Sequence, residues 1–256
     1  MSRVAELALS LFLVSSAFGA EVFEDRIEKV VPLAANGTFS LGAIDGSVEI
    51  YGSEDNEARI VAVRKALSLE RLNQIQIRIS GDGNAVTVNT TAPPQPRWSF
   101  RDHSGTVDYT ITLPQHARIA SLNLPNGDLV IHGMRGGDNV ASVGNGRLTA
   151  HNCYCDQNLR VQRGGLDLFF DWSEPRPIAV EAVIGRGNIR AVVPSDSSFR
   201  LSATSAHGRV SSDFSEIAER KPGGVSRIEQ VIGTEPLSEL VLRATEGNIR
   251  ISETIW

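Results

Sequence analysis

The chain has 256 residues, 41% of them hydrophobic and 21% charged, with a net charge of −5. That balance argues against bulk attraction to nucleic acid or anionic lipid, which needs clustered Lys and Arg, so no nucleic-acid partner is expected. An all-β chain of this length commonly forms one domain, and 23 glycines among short alternating runs of Val, Ile, Leu and Thr point to many strands joined by tight turns.

Residues 1–20, "MSRVAELALSLFLVSSAFGA", carry an early Arg, an apolar stretch from Leu7 to Val14 and then small residues, and read as a secretory signal peptide. Residues 21–256 then form a single domain. The apolar stretch is too short to cross a bilayer, and no later segment approaches the ~20 apolar residues a transmembrane helix needs. No Cys stands at the expected cleavage point, which argues against a lipoprotein anchor. The expected location is exported, in the periplasm or at the cell surface.

After a first Gly-turn unit around Gly46, residues 58–66, 75–79 and 85–89 alternate as strands, 80–84 ("SGDGN") reads as a hairpin turn, and the Leu- and Glu-rich 66–74 suits a short helix. This part is the candidate for antiparallel strands and for a cap. Segments 90–105 and 219–226 read as loops because Pro and Gly cluster there. In the first of them Trp98, Phe100 and His103 offer aromatic faces suited to sugars, although such a loop also serves to cover an open sheet edge.

From residue 120 onwards one phrase recurs: "PNGDLVIHG", "GNGRLTAHN", "GRGNIRAVV", "AHGRVSSDF", "TEGNIRISE". Aligned on the turn glycine, the chain gives Gly46, Gly127, Gly146, Gly164, Gly187, Gly208 and Gly247, with gaps from Gly127 of 19, 18, 23, 21 and 39. A period of about twenty residues is a solenoid signature. Before the glycine, apolar residues alternate as Phe39, Leu41 and Ala43; Ala120, Leu122 and Leu124; Val180, Ala182 and Ile184; Leu240, Leu242 and Ala244. After it come Val48 and Ile50, Leu129 and Ile131, Leu148 and Ala150, Leu166 and Leu168, Ile189 and Ala191, Ile249 and Ile251. Between them stand polar residues, including Glu49, Thr149, Asp167, Arg190 and Arg250, expected to face solvent. Each unit is a strand, a Gly corner and a second strand. One such unit cannot bury its apolar face alone, so copies must pair in register. The expected fold is all-β, a right-handed parallel β-helix or β-solenoid with coils of about 20 residues. An antiparallel sandwich also predicts alternation and turns, but not one column pattern at a fixed period.

The stretches "GTFSLGAIDGSVEIYG", "VDYTITLP", "ASLNLPNGDLVIHG" and "LVLRATEGNIRI" resemble the bacterial "putative adhesin" family of β-solenoid repeat domains. The resemblance runs from about Phe23 to Ile251 and rests on structural glycines and strand residues. It implies an exported right-handed solenoid of unassigned biochemistry, found in bacterial envelopes and linked to envelope stress or surface attachment. It carries over no binding residue.

The most distinctive local stretch is "HNCYC", residues 151–155. Cys153 and Cys155 leave three readings open: a strained bond between them, free thiols, or intermolecular or metal use. His132 and His151 both lie five positions after their glycines and stack if the units are in register, with Cys153 two residues on. His–His–Cys suits zinc or copper, but no carboxylate is evident nearby in sequence to orient the imidazoles, and two solvated histidines are the preferred reading. Large β-helices often host polysaccharide lyases or hydrolases. The available acids, Asp45, Asp128, Asp167, Asp171, Glu181 and Asp213, nevertheless fall in different columns and resemble a charge-balanced sheet face more than a catalytic pair. "GRGNIR" and "GNGR" open no helix and fit no phosphate loop. Ile255 and Trp256 are expected to cap the open end of the solenoid stack, where edge pairing must be blocked.

These readings converge on a non-enzymatic surface or envelope binding, adhesion or scaffolding module whose partner is a protein or polysaccharide. No catalytic, cofactor-binding or metal residue is assigned and no cofactor is expected. The alternative is a carbohydrate-active enzyme.

Overall fold

The computed structural model describes residues 22–93, 104–214, 219–220 and 225–254. Residues 1–20, expected to be a signal peptide, the Trp98–Phe100–His103 patch and the Ile255–Trp256 pair lie outside the described residues.

The N-terminal part contains β1 (Phe23–Gly42), β2 (Gly46–Ser53) and β3 (Glu57–Ala66), then α1 (Leu69–Gln74), then β4 (Gln76–Gly81), β5 (Gly83–Thr91) and β6 (Thr106–Pro114). Four long strands follow: β7 (Arg118–His132), β8 (Asp138–His151), β9 (Asp156–Phe169) and β10 (Ala179–Pro194). The C-terminal part is β11 (Phe199–His207), β12 (Val210–Ser212), β13 (Glu219–Arg220), β14 (Ser226–Ile232), β15 (Ser238–Glu246) and β16 (Ile249–Thr254). All strands join one large mixed sheet. The helix forms because Ser68 caps it, its side chain accepting from the Arg71 amide, with Glu70 in the first turn. Among the described residues no helix is long and apolar enough to cross a membrane.

The four long strands pair in parallel, and each runs without a break through its glycine. Gly127 lies opposite Gly146, Gly146 opposite Gly164, and Gly164 opposite Gly187, while Gly46 of β2 lies opposite Gly127. These glycines have φ between 132° and 145°, a region essentially closed to residues with a Cβ. A second constraint acts with the first. A Cβ on Gly146 would lie 1.8 Å from the carbonyl oxygen of Gly127, so the strands approach too closely there for any side chain. At Gly208 only the close approach applies: it is absent from the positive-φ glycines, yet its Cβ would lie 1.9 Å from the Gly247 carbonyl.

Residues on both sides of each glycine enter one core. Leu129, Leu148, Leu166 and Ile189 sit side by side after it and are fully buried, as are Leu122, Leu124, Val143, Leu159, Val161 and Ile184 before it. Burying a side chain of this size stabilises by about 1.5–3 kcal/mol, so a column repeated across neighbouring strands is a main source of stability. The expected inward residue Ala120 is a correction. Ile119 is buried instead, because the register between β1 and β7 shifts after Phe39, leaving Ala120 as the extra residue of a bulge. Asp167, expected at the surface, is also buried, with its carboxylate 2.6 Å from the Arg147 guanidinium.

Chain order and spatial order differ at both ends of the parallel block. The last unit, β15 and β16, lies between β10 on one side and β11 and β12 on the other. At the opposite end, the second half of β1 together with β2 lies between β7 and the β5–β6 pair. The gap of 39 residues between Gly208 and Gly247 is therefore an outward excursion, and the terminal units return to interior positions. The outer strands are antiparallel: β4 closes against β5, and β14 against β11. As expected, the region from β3 to β6 holds antiparallel pairings, with β3 antiparallel to both β1 and β6. Segment 219–226 is not wholly a loop, since β13 and the start of β14 pair there.

Candidate binding site

The column five residues beyond the glycine is aromatic across four consecutive strands. Tyr51, His132, His151 and Phe169 lie opposite one another in register. Tyr51 and His132 are stacked, with centroids 5.1 Å apart and planes 5° from parallel; His132 and His151 meet edge to face at 5.3 Å, and His151 and Phe169 at 6.1 Å. Parallel strands about 4.8 Å apart impose that spacing on any aromatic column. The Arg190 guanidinium covers Phe169 at 5.5 Å.

His132 and His151 are thus neighbours, as their spacing predicts, with Nδ1 atoms 3.3 Å apart. Cys153 is not with them. Asn152 has φ 52°, a left-handed conformation that Asn tolerates, and the chain turns so that Cys153 enters the core. The turn is clasped by Asp171: the Asn152 amide donates to its carboxylate at 2.8 Å, and the Asp171 backbone N–H donates to Asn152 Oδ1 at 2.8 Å. The same carboxylate lies 2.9 Å from His151 Nε2. A carboxylate therefore does stand beside the pair, supplied from twenty residues further along, where sequence proximity could not find it. Burial would raise the Asp171 carboxyl, but the bonds from Asn152 and His151 outweigh it and hold the group below the usual carboxylate range. His132 is lowered by burial and by repulsion from His151, with Glu49 opposing.

Cys153 and Cys155 are both free and buried. The Cys153 thiol faces the Ile131 carbonyl at 3.4 Å, and Asn139 Nδ2 donates to Cys155 Sγ at 3.0 Å. Burial pushes Cys153 up to about 11 and Cys155 higher still. These thiols are poor nucleophiles.

Tyr154, between the cysteines, lines a shallow open cleft together with Phe170, Val180, Val193, Phe199 and Leu240. Trp172 stands at the mouth, 43% exposed, with its ring 5.3 Å from Tyr154. Arg135 lies within 6 Å of both rings and pairs with Glu174 at 2.6 Å, and the Trp172 indole N–H donates to Glu174 at 3.1 Å. The Tyr154 hydroxyl donates to the Trp172 carbonyl at 2.6 Å and, with burial the leading cause, its pKa is pushed up to about 12. Sequence inspection passed over this cleft because Phe170 and Trp172 fall in an irregular segment between repeats; a cluster of aromatics outside the repeat columns was the available signal.

Each of the acids singled out as catalytic candidates is engaged by a neighbour. Asp45 accepts from Asn126, Asp128 from the Arg147 amide, and Asp167 pairs with Arg147. Asp171 is held by His151 and Asn152, Glu181 by Arg243 and Asp213 by Arg250. Those of Asp128, Asp167 and Glu181 tie adjacent strands together, and those of Asp45, Asp171 and Asp213 fasten connecting segments to neighbouring residues. Arg190 and Arg250 are opposite each other on the outward face as expected.

No family model matches the chain, and no curated protein matches it. Solved bacterial structures do. One, described as a "putative cell adhesion protein" from Clostridium sporogenes ATCC 15579, is 14% identical with a TM-score of 0.52, over 90% of this chain and 100% of that one. A "putative adhesin" from Bacteroides fragilis NCTC 9343 is 12% identical with a TM-score of 0.35, over 90% of this chain and 97% of that one. At this level of identity the Clostridium likeness is one of fold, and the chain shares its all-β architecture with a solved bacterial protein described in terms of adhesion.

Proposed function

We propose that the chain is an exported, non-enzymatic binding module of the bacterial envelope or surface, built as a parallel β-solenoid, whose partner is a protein or a polysaccharide. The observation that carries this reading is the in-register series from β2 through β10 to β16, which repeats each outward position at a fixed spacing and so offers columns to an extended partner. The aromatic cleft with half-exposed Trp172 supports it, since aromatic faces suit both apolar side chains and sugar rings. The engagement of all six candidate acids by neighbouring side chains or backbone supports a role without catalysis. The description of the Clostridium sporogenes structure as a "putative cell adhesion protein" agrees with the same reading.

The test is retention of the purified full chain on bacterial envelope polysaccharide and on envelope protein, each presented separately. Trp172→Ala and the Arg190→Ala/Arg250→Ala pair should lower retention at least tenfold while the variants still fold and melt cooperatively. Retention equal to that of the unaltered chain in all variants would refute recognition through these surfaces. Depolymerisation of the polysaccharide during the assay would return the carbohydrate-active alternative.

A further inference from the structure

We infer that His132 and His151 form a two-nitrogen site for a tetrahedral divalent cation, zinc by preference, with Asp171 orienting one of the two ligands. Asp171 Oδ2 lies 2.9 Å from His151 Nε2, and a carboxylate held ionised by Asn152 can only accept there, so Nε2 carries the hydrogen. His151 Nδ1 is then the bare nitrogen, and it faces His132 Nδ1 at 3.3 Å. A carboxylate on the far nitrogen, fixing tautomer and ring orientation, is the arrangement that accompanies metal-bound histidine.

The distance agrees. Two imidazole nitrogens each about 2.05 Å from zinc, at a tetrahedral angle, lie about 3.3 Å apart. Without metal, the same approach is held by one hydrogen bond from His132 Nδ1–H to His151 Nδ1. With metal, the His132 hydrogen moves to Nε2 and both Nδ1 lone pairs are donated. Tyr51 stacked on His132 and Phe169 against His151 hold the rings in place, so little side-chain freedom is lost on binding. The charged groups nearby are Glu49 and Asp171, which favour a cation, and Arg190, which lies over Phe169, on the far side of His151 from His132. Among the described residues no group of three or more His, Cys, Asp or Glu converges as a cage, so water or a partner's ligand completes the coordination. Cys153, the third ligand considered from sequence, is excluded by its position in the core.

The test is calorimetric titration of the full chain with Zn²⁺ at pH 7.5, with Co²⁺ absorption as a report on tetrahedral geometry. One saturable site is expected. His132→Ala or His151→Ala should abolish it, His116→Ala should leave it intact, and Asp171→Asn should weaken it 10–100-fold. Binding should be weaker at acidic pH, because protons compete for the same lone pairs. The outward position of both rings lets the alanine variants fold, which circular dichroism checks. Absence of saturable uptake by the unaltered chain, or uptake that survives the His132→Ala/His151→Ala pair, would overturn the inference. Uptake lost in Cys153→Ser but kept in the histidine variants would do the same.

Discussion

Replacing Gly146 by alanine isolates the feature on which the parallel block depends. Its φ of 140° costs a residue with a Cβ about 1–3 kcal/mol. The added carbon would sit 1.8 Å from the Gly127 oxygen and 2.7 Å from its carbonyl carbon, where ordinary contact needs about 3.5 Å or more. Since the obstructing atoms are backbone, β7 and β8 must separate locally, an overpacking cost of about 1–3 kcal/mol. The sum is about 4 kcal/mol, which for a chain of this size lowers Tm by roughly 10 °C. Gly133 supplies the control, because its φ of 68° is also positive but its Cβ would meet nothing within 4 Å. Gly133→Ala should therefore cost only about 1–2 kcal/mol, the left-handed term alone. Thermal melts of the two variants side by side measure the difference. If Gly146→Ala melts no lower than Gly133→Ala, close strand approach is not what requires the glycine column.

Two further expectations concern titration and reactivity. Both cysteines should resist alkylation at pH 8 in the folded chain and react together on unfolding, since burial raises both thiols; rapid native labelling of either would contradict their place in the core. Asp108 links β6 to β2 and β3 by accepting from the Ser47 amide and hydroxyl and from Lys65. Burial would raise its carboxyl, but these bonds together lower it below its ordinary 3.8. A carboxyl depressed in the folded state stabilises fully above the unfolded value and loses that contribution as pH falls through the folded one. Melting temperature should thus drop below about pH 4, and Asp108→Asn should be less stable at neutral pH with a flatter acid limb. An identical pH profile in the variant would show that Asp108 contributes nothing.

Local pattern determined the repeat unit. Alternation at period two and a glycine needed for positive φ are properties of single strands and corners, so Leu129 and Ile131, or Leu166 and Leu168, could be assigned to the core from their own neighbourhood. The pairing of His132 with His151 followed from the same register. The short helix was local in origin too: the Leu- and Glu-rich 66–74 suited one, and it forms over Leu69–Gln74 with Ser68 as its cap. Tertiary structure decided whatever depends on which units meet. The return of β15 and β16 between β10 and β11, and of β1 and β2 between β7 and the β5–β6 pair, leaves no mark on a column alignment, because every unit presents the same apolar positions. The bulge at Ala120 exists only relative to β1. Asp167 became a buried partner of Arg147, and Asp171 came to orient His151, through neighbours one strand away and about twenty residues distant in chain. Cys153 turned from a prospective ligand into a core residue because Asn152 reverses the chain, a conformation that the clasp with Asp171 maintains. The repeated sequence specified what each strand buries, and long-range pairing chose the neighbours and hence the sites between them.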